Sequence, residues 1–259
     1  MRRLTSGILI VMAGLLGAAG AGTAGEVKLG AHGGISIPNL RGSEADIFSR
    51  GFTSRQGPYF GLTIDLSIAP SFSLAIDLDY TSQGGIRSGM QPITMELPPG
   101  LPIPPGTILY ADFRNDTILD YVEIPVLGRF TFGNRIRAFL NAGPYVGFLI
   151  RAVAVTEGTS ALYLDEAGEM PIIIPPAIDP AEFDLGAKTD VKDSLETVNI
   201  GLAGGGGVIF PLGPGELVLE GRFQLGLTTL QKHPETDGKT QTGAVVISLG
   251  YVLPLSRHR

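Results

Sequence analysis

The sequence predicts an all-β fold, an eight-stranded antiparallel up-and-down transmembrane β-barrel. Three observations carry that prediction. Apolar and polar residues alternate with period two in eight segments. The connections between these segments are alternately short and long, as in barrels that keep tight turns on one side of a membrane and long loops on the other. The first 25 residues have the three-part form of an export signal.

The chain opens with Arg2 and Arg3, followed by an apolar run from Ile8 to Ala21 that ends among small residues. This run is shorter than the roughly 20 apolar residues a spanning helix needs, so residues 1–25 read as a signal peptide cleaved near Gly25 or Glu26. The remainder, 26–259, is long enough for one barrel domain. The chain has no cysteine, which excludes a disulfide framework, thiol redox chemistry and lipid attachment to cysteine. A net charge of −6 without a run of Lys or Arg argues against nucleic acid as a partner.

The strand candidates are Glu26 to Ile37, Pro58 to Ile68, Phe72 to Gln83, Thr117 to Phe132, Arg135 to Val155, Val198 to Phe210, Glu216 to Thr229 and Gln241 to Leu253. A tilted transmembrane strand needs about 9–11 residues, and these segments reach that length. Strands two and three are joined by "APS", four and five by "GN", and six and seven by "PLGPG". Long segments near 38–57, 84–116, 156–197 and 230–240 join the others, which predicts that they all lie outside the cell.

The two faces of each strand differ sharply. In the third strand Phe72, Leu74, Ile76, Leu78 and Tyr80 share one face, while Ser73, Ala75, Asp77, Asp79 and Thr81 share the other. Strands two and seven repeat the pattern. Parity then gathers Asp65, Asp77, Asp79, Glu123 and Glu220 with Arg129, Arg137, Arg151 and Arg222 on the polar face, an expected luminal charge network. A lipid-facing arginine at mid-membrane would cost about 2–4 kcal/mol, and none of the four needs to be there. Phe72, Phe130, Phe132, Phe210 and Tyr251 fall beside the expected periplasmic turns, where an aromatic girdle belongs. Parity alone leaves one alternative, a soluble lipocalin-like barrel with the apolar face turned inward.

Within "LDYVEIPVLGRF", Pro125 cannot donate to the sheet ladder, and Pro144 stands at nearly the same height across the hairpin. A bulge or missing hydrogen bonds are expected there, with Glu123 aimed into the lumen.

Chemistry-bearing patterns are sparse. His32 falls on the polar face of strand one, and His233 with Glu235 and Asp237 is the one local acid–base set, in a loop that reads as solvated. "GLAGGGG" at 201–207 has neither the lysine nor the helix of a phosphate loop, and reads as close packing or curvature. Asp77 and Asp79 could hold a cation, but pairing with luminal arginine suits them better. No catalytic, cofactor-binding or metal site is expected. The Pro-rich loop stretches "MQPITMELPPGLPIPPG" and "EMPIIIPPAIDPAEF" are the best candidates for contact with a surface protein, a peptide or an apolar ligand.

Several stretches together resemble the outer membrane protein β-barrel domain family of PorT-like proteins of Gram-negative bacteria: "KLGAHGGISIPNLRG", "GPYFGLTIDLSIAPSFSLAIDLDYTSQGG", "LDYVEIPVLGRF", "AFLNAGPYVGFLI", "EGRFQLGLTTL" and "VVISLGYVL". The family's Tyr-Leu-Glu-Ile-Pro core corresponds to Tyr121–Pro125, and its Ala-Gly-Pro-Tyr to Ala142–Tyr145. The resemblance implies an eight-stranded barrel in the outer membrane, inserted by the barrel-assembly machinery, and no particular activity. The two longest loops exceed the family's, and the ending "PLSRHR" departs from its usual aromatic finish. The resulting expectation is a non-enzymatic outer-membrane protein acting through its loops in binding, adhesion or assembly. The alternatives are a narrow small-solute channel and, behind it, a lipid-modifying enzyme.

Overall fold

The computed structural model describes residues 26–42, 47, 50–93, 104, 107–174, 178–234 and 238–255. The expected signal peptide, 1–25, lies outside the described residues. Among the described residues thirteen strands follow in chain order: β1 Val27–Pro38, β2 Arg41–Gly42, β3 Thr53–Ser54, β4 Gly57–Ala69, β5 Phe72–Pro92, β6 Tyr110–Gly133, β7 Arg137–Glu157, β8 Thr159–Ala161, β9 Glu182–Asp184, β10 Ala187–Asp190, β11 Val198–Leu212, β12 Gly215–Thr229 and β13 Thr240–Pro254. Eight are long, and they pair antiparallel in the order β1-β4-β5-β6-β7-β11-β12-β13. The ring closes because β1 also pairs with β13, from Lys28↔Pro254 to Pro38↔Ala244. Closure leaves no open edge within the ring, which is what a sheet crossing lipid requires.

The three tight turns sit together at one end, and two are made possible by backbone that only glycine adopts readily. Gly133 and Gly213 have φ of 102° and 60° in the β6–β7 and β11–β12 connections. On the outer face Phe60, Leu62, Leu140, Ile200, Phe223 and Leu249 are exposed, while Asp77, Asp79, Glu123, Arg129 and Arg222 are buried inside. This polarity is that of a lipid-embedded barrel and the reverse of a lipocalin-like carrier.

Strand lengths show where the sequence-based boundaries fall short. Most of the ring strands have 12 to 15 residues, but β5, β6 and β7 have 21, 24 and 21. Part of the segments expected as loops at 84–116 and 156–197 is therefore strand: β5 runs on to Pro92, β6 begins at Tyr110, β10 adds to the sheet beside β7, and β8 and β9 form a separate two-stranded sheet. The extension lies beyond the apolar band, so both of its faces can carry polar residues and the amphipathic signal fades there. Its core is a separate cluster of Leu109, Ala111, Phe113, Leu162 and Leu185, with Ile93, Ile172 and Phe183 packed against it.

Pro125 interrupts the ladder as expected of a residue without an N–H. The β6–β7 pairing stops at Pro125↔Tyr145 and resumes at Gly128↔Ala142, and the β5–β6 pairing skips from Ile76↔Val126 to Asp79↔Glu123. The register shift itself lies elsewhere, at Asp120/Tyr121.

Candidate functional site

The lumen is packed in layers from the turn end upward. At the bottom Glu216 takes Lys28 at 3.1 Å and Arg137 at 2.6 Å. Above it Arg129 donates to Asp65 at 2.7 Å and lies 4.6 Å over the Phe139 ring. Arg222 holds the centre, with Nε donating to Glu220 at 2.8 Å, Nη2 to Asp77 at 2.8 Å and Nη1 to the Tyr59 hydroxyl at 3.2 Å. Tyr59 in turn donates to Asp79 at 2.6 Å, and the other oxygen of Asp79 meets His32 Nε2 at 2.9 Å. Asn141 completes Glu220 at 2.9 Å. Such pairing is required, because a guanidinium or carboxylate stripped of water and left alone is very costly.

One layer higher, Glu123 is fully buried and accepts from the amides of Gln83 at 2.8 Å and Gln224 at 2.7 Å. Above these the lumen turns apolar. Leu119, Tyr121, Leu149 and Ala152 from the wall meet Leu40 and Leu230 from the loops, with Phe52, Val191 and Leu195 against them. The remaining cavities near the arginines are small, about 20 and 50 Å³, on the scale of a few waters at most. Gly201 and Gly207 make room for the wall's large rings: a Cβ on Gly201 would lie 2.4 Å from the Tyr145 ring, and one on Gly207 2.8 Å from that of Phe139. Close packing is the use to which "GLAGGGG" is put.

Of the nine residues assigned to the luminal network, Asp65, Asp77, Asp79, Glu123, Arg129, Glu220 and Arg222 are buried within it. Arg137 is peripheral, at the bottom with Glu216. Arg151 requires a correction. The register shift makes Ile150 an extra residue in β7, so that Asp120 faces Arg151 while Tyr121 faces Leu149. Parity inverts at that point, and Arg151 emerges on the outer face with its side chain 50% exposed, paired to Asp120 at 3.3 Å. The buried centre therefore holds five carboxylates against two guanidiniums and His32, rather than the nearly balanced set parity suggested.

Sequence reasoning omitted Lys28, Tyr59, Gln83 and Gln224 from the network. All four share the inward parity of their strands, but counting charges passes over tyrosine and amides, which here spread the charge through hydrogen bonds.

Outside the membrane band Arg50 pairs with Glu166, tying two loop segments together. Beside it Arg87 donates to the Ile47 carbonyl at 2.9 Å; burial, and then the neighbouring Arg50, lower its pKa from the ordinary arginine value. At the tip Leu164, Met170, Ile173 and Ile178 are exposed, Ile178 at 86%. Of the set His233, Glu235 and Asp237, the two acids lie outside the described residues, as does most of the first Pro-rich stretch.

Comparison with known proteins agrees with this architecture. A model of the outer membrane protein beta-barrel domain matches residues 19–232. The chain belongs to the outer membrane protein beta-barrel domain family. This outer-membrane barrel accordingly resides in the outer membrane of a Gram-negative bacterium, with its apolar band in lipid. Among solved structures it is similar to Neisserial surface protein A, at 12% identity and TM-score 0.40, with 88% of this chain and 96% of that chain covered. It is also similar to Ail, the attachment invasion locus protein of Yersinia pestis, at 12% identity and TM-score 0.38, covering 88% and 99%. The N-terminal β-barrel domain of Pseudomonas aeruginosa OprF aligns at 9% identity and TM-score 0.32, covering 88% and 98%. No curated protein matches the sequence.

Proposed function

We propose that this barrel is a non-enzymatic surface protein that works by presenting the extracellular extension of β5, β6 and β7 for binding, adhesion or assembly. The observation that carries this is the extension itself. Three strands continue beyond the membrane band and are cored by Leu109, Phe113, Leu162 and Leu185. Their tip leaves Leu164, Met170, Ile173 and Ile178 exposed. An ordered, cored projection ending in apolar side chains has the form of a docking element, since apolar residues gathered at an exposed tip gain from a partner that covers them. Meanwhile the lumen is occupied by ion pairs below and an apolar seal above, an arrangement suited to a structural stave and poorly suited to steady solute flow.

The test is photo-crosslinking from position 170 in intact outer membranes, with conductance measured in parallel in planar bilayers. A discrete adduct that disappears when Leu164, Ile173 and Ile178 are replaced by serine, with the crosslinker kept at 170, is the expected result. Stable single-channel conductance from the unmodified protein, with no adduct, would favour the small-solute channel instead.

A further inference from the structure

On the outer face of β1, β4, β5 and β6 lies a groove of about 540 Å³ lined by Ala31, Phe60, Leu62, Leu78, Tyr80 and Val122. Its lining is apolar, and Phe60 and Tyr80 stack at 4.8 Å on its upper wall. Space arises because β1 contributes a methyl at Ala31 and no side chain at Gly33, directly beside Leu62 and Phe60 in the register.

Immediately above the groove the outer face becomes polar. Ser82 donates to Asp120 at 2.7 Å, Arg55 donates to Ser82 at 3.0 Å and meets Asp116 at 3.1 Å, and Arg151 donates to Asp120 at 3.3 Å. Tyr80 lies within electrostatic reach of Asp120, Arg151 and Arg55, which joins the groove to this rim. Lys192 reaches over from the loop to the Ile150 carbonyl at 3.1 Å. The rim thus gathers three cations, Arg55, Arg151 and Lys192, with three carboxylates, Asp116, Asp120 and Asp190, the last accepting from the Lys192 backbone N–H at 2.9 Å. Arg151 engages Asp120 through Nη1 alone and is half exposed, so much of its fork faces outward at the height where the apolar band ends.

We infer that this face is a specific site for a phosphorylated, acyl-bearing lipid of the outer leaflet, with an acyl chain in the groove and a phosphate on Arg151 and Lys192. The bulge at Ile150 is what makes the site, since without it Arg151 would point into the lumen. Lipid is the occupant because the groove lies within the lipid-facing band and the cations sit where a headgroup must be.

The full-length protein in detergent is titrated with a diphosphorylated lipid A and separately with zwitterionic phosphatidylcholine, and retained lipid is counted by native mass spectrometry. Inorganic phosphate and lipid A are each also assayed by their effect on the heat-modifiability midpoint. Retention of lipid A at concentrations where phosphatidylcholine is lost is expected. Arg151→Gln should weaken lipid A retention about tenfold, as for the loss of one charge-assisted contact. Ala31→Leu, which fills the groove from the lipid side, should weaken it while leaving the heat-modifiability midpoint without lipid unchanged. Equal retention of both lipids, or indifference to both substitutions, would mean only ordinary annular lipid and would overturn the site. So would inorganic phosphate raising the midpoint as much as lipid A does.

Discussion

Arg222 touches Asp77, Asp79, Glu220 and Tyr59 at once. Replacing it with alanine leaves three buried carboxylates without their shared cation, so we expect a loss of about 3–5 kcal/mol, read as a lower urea midpoint for unfolding in detergent. If Arg222 alone plugged the lumen, the same change would open a conductance. With Tyr121, Leu119, Leu40 and Leu230 sealing the outer mouth, Arg222→Ala should stay electrically silent, and planar-bilayer recordings check this. Gly207 makes a second residue-level prediction. An added Cβ would stand 2.0 Å from the Leu219 carbonyl oxygen, which is backbone and cannot rotate away. Gly207→Ala should therefore cost about 1–3 kcal/mol in the same unfolding assay. Most of the buried charges were legible from parity because each strand runs straight through the centre of the wall. Their exact partners were not, because Arg222 comes from β12 while Tyr59 and Asp79 come from the β4–β5 hairpin, and only closure brings these together.

Within single elements, β7 shows why parity has a limited reach. One extra residue turns every later side chain to the opposite face, and Ile150 carries nothing that marks it as extra. Because the chain has no cysteine, the consequence can be read directly. A single cysteine at 151 should react with a membrane-impermeant maleimide on intact cells, whereas one at 149, buried beneath the loops, should not. Comparable labelling at both positions would contradict the bulge. Pro125 is the opposite case, since its effect on hydrogen bonding follows from its chemistry. Even so, the ladder on both sides absorbs the loss without a shift of register there. The extensions of β5, β6 and β7 were read as loops because their two faces no longer separate oil from charge, and their order rests on a local core that periodicity does not reveal.

For the whole molecule, the β1–β13 seam is the feature that makes eight strands one object. A closed, fully hydrogen-bonded ring should stay folded in cold dodecyl sulfate and migrate faster before boiling than after; equal mobility would argue against closure. External protease should cut the extracellular projection and leave a resistant membrane-embedded core, because the two have separate clusters of buried residues. The sequence by itself determined the count of long strands, the gathering of the tight turns at one end, the apolar and charged faces and the membrane address. Each of these follows from local periodicity and turn chemistry. Only the tertiary structure decided which luminal charges meet, that the outer mouth is sealed by apolar residues, that Arg151 faces out, and that three strands rise beyond the membrane. Those depend on register and on contacts between residues far apart in the chain, and the closed ring sets both.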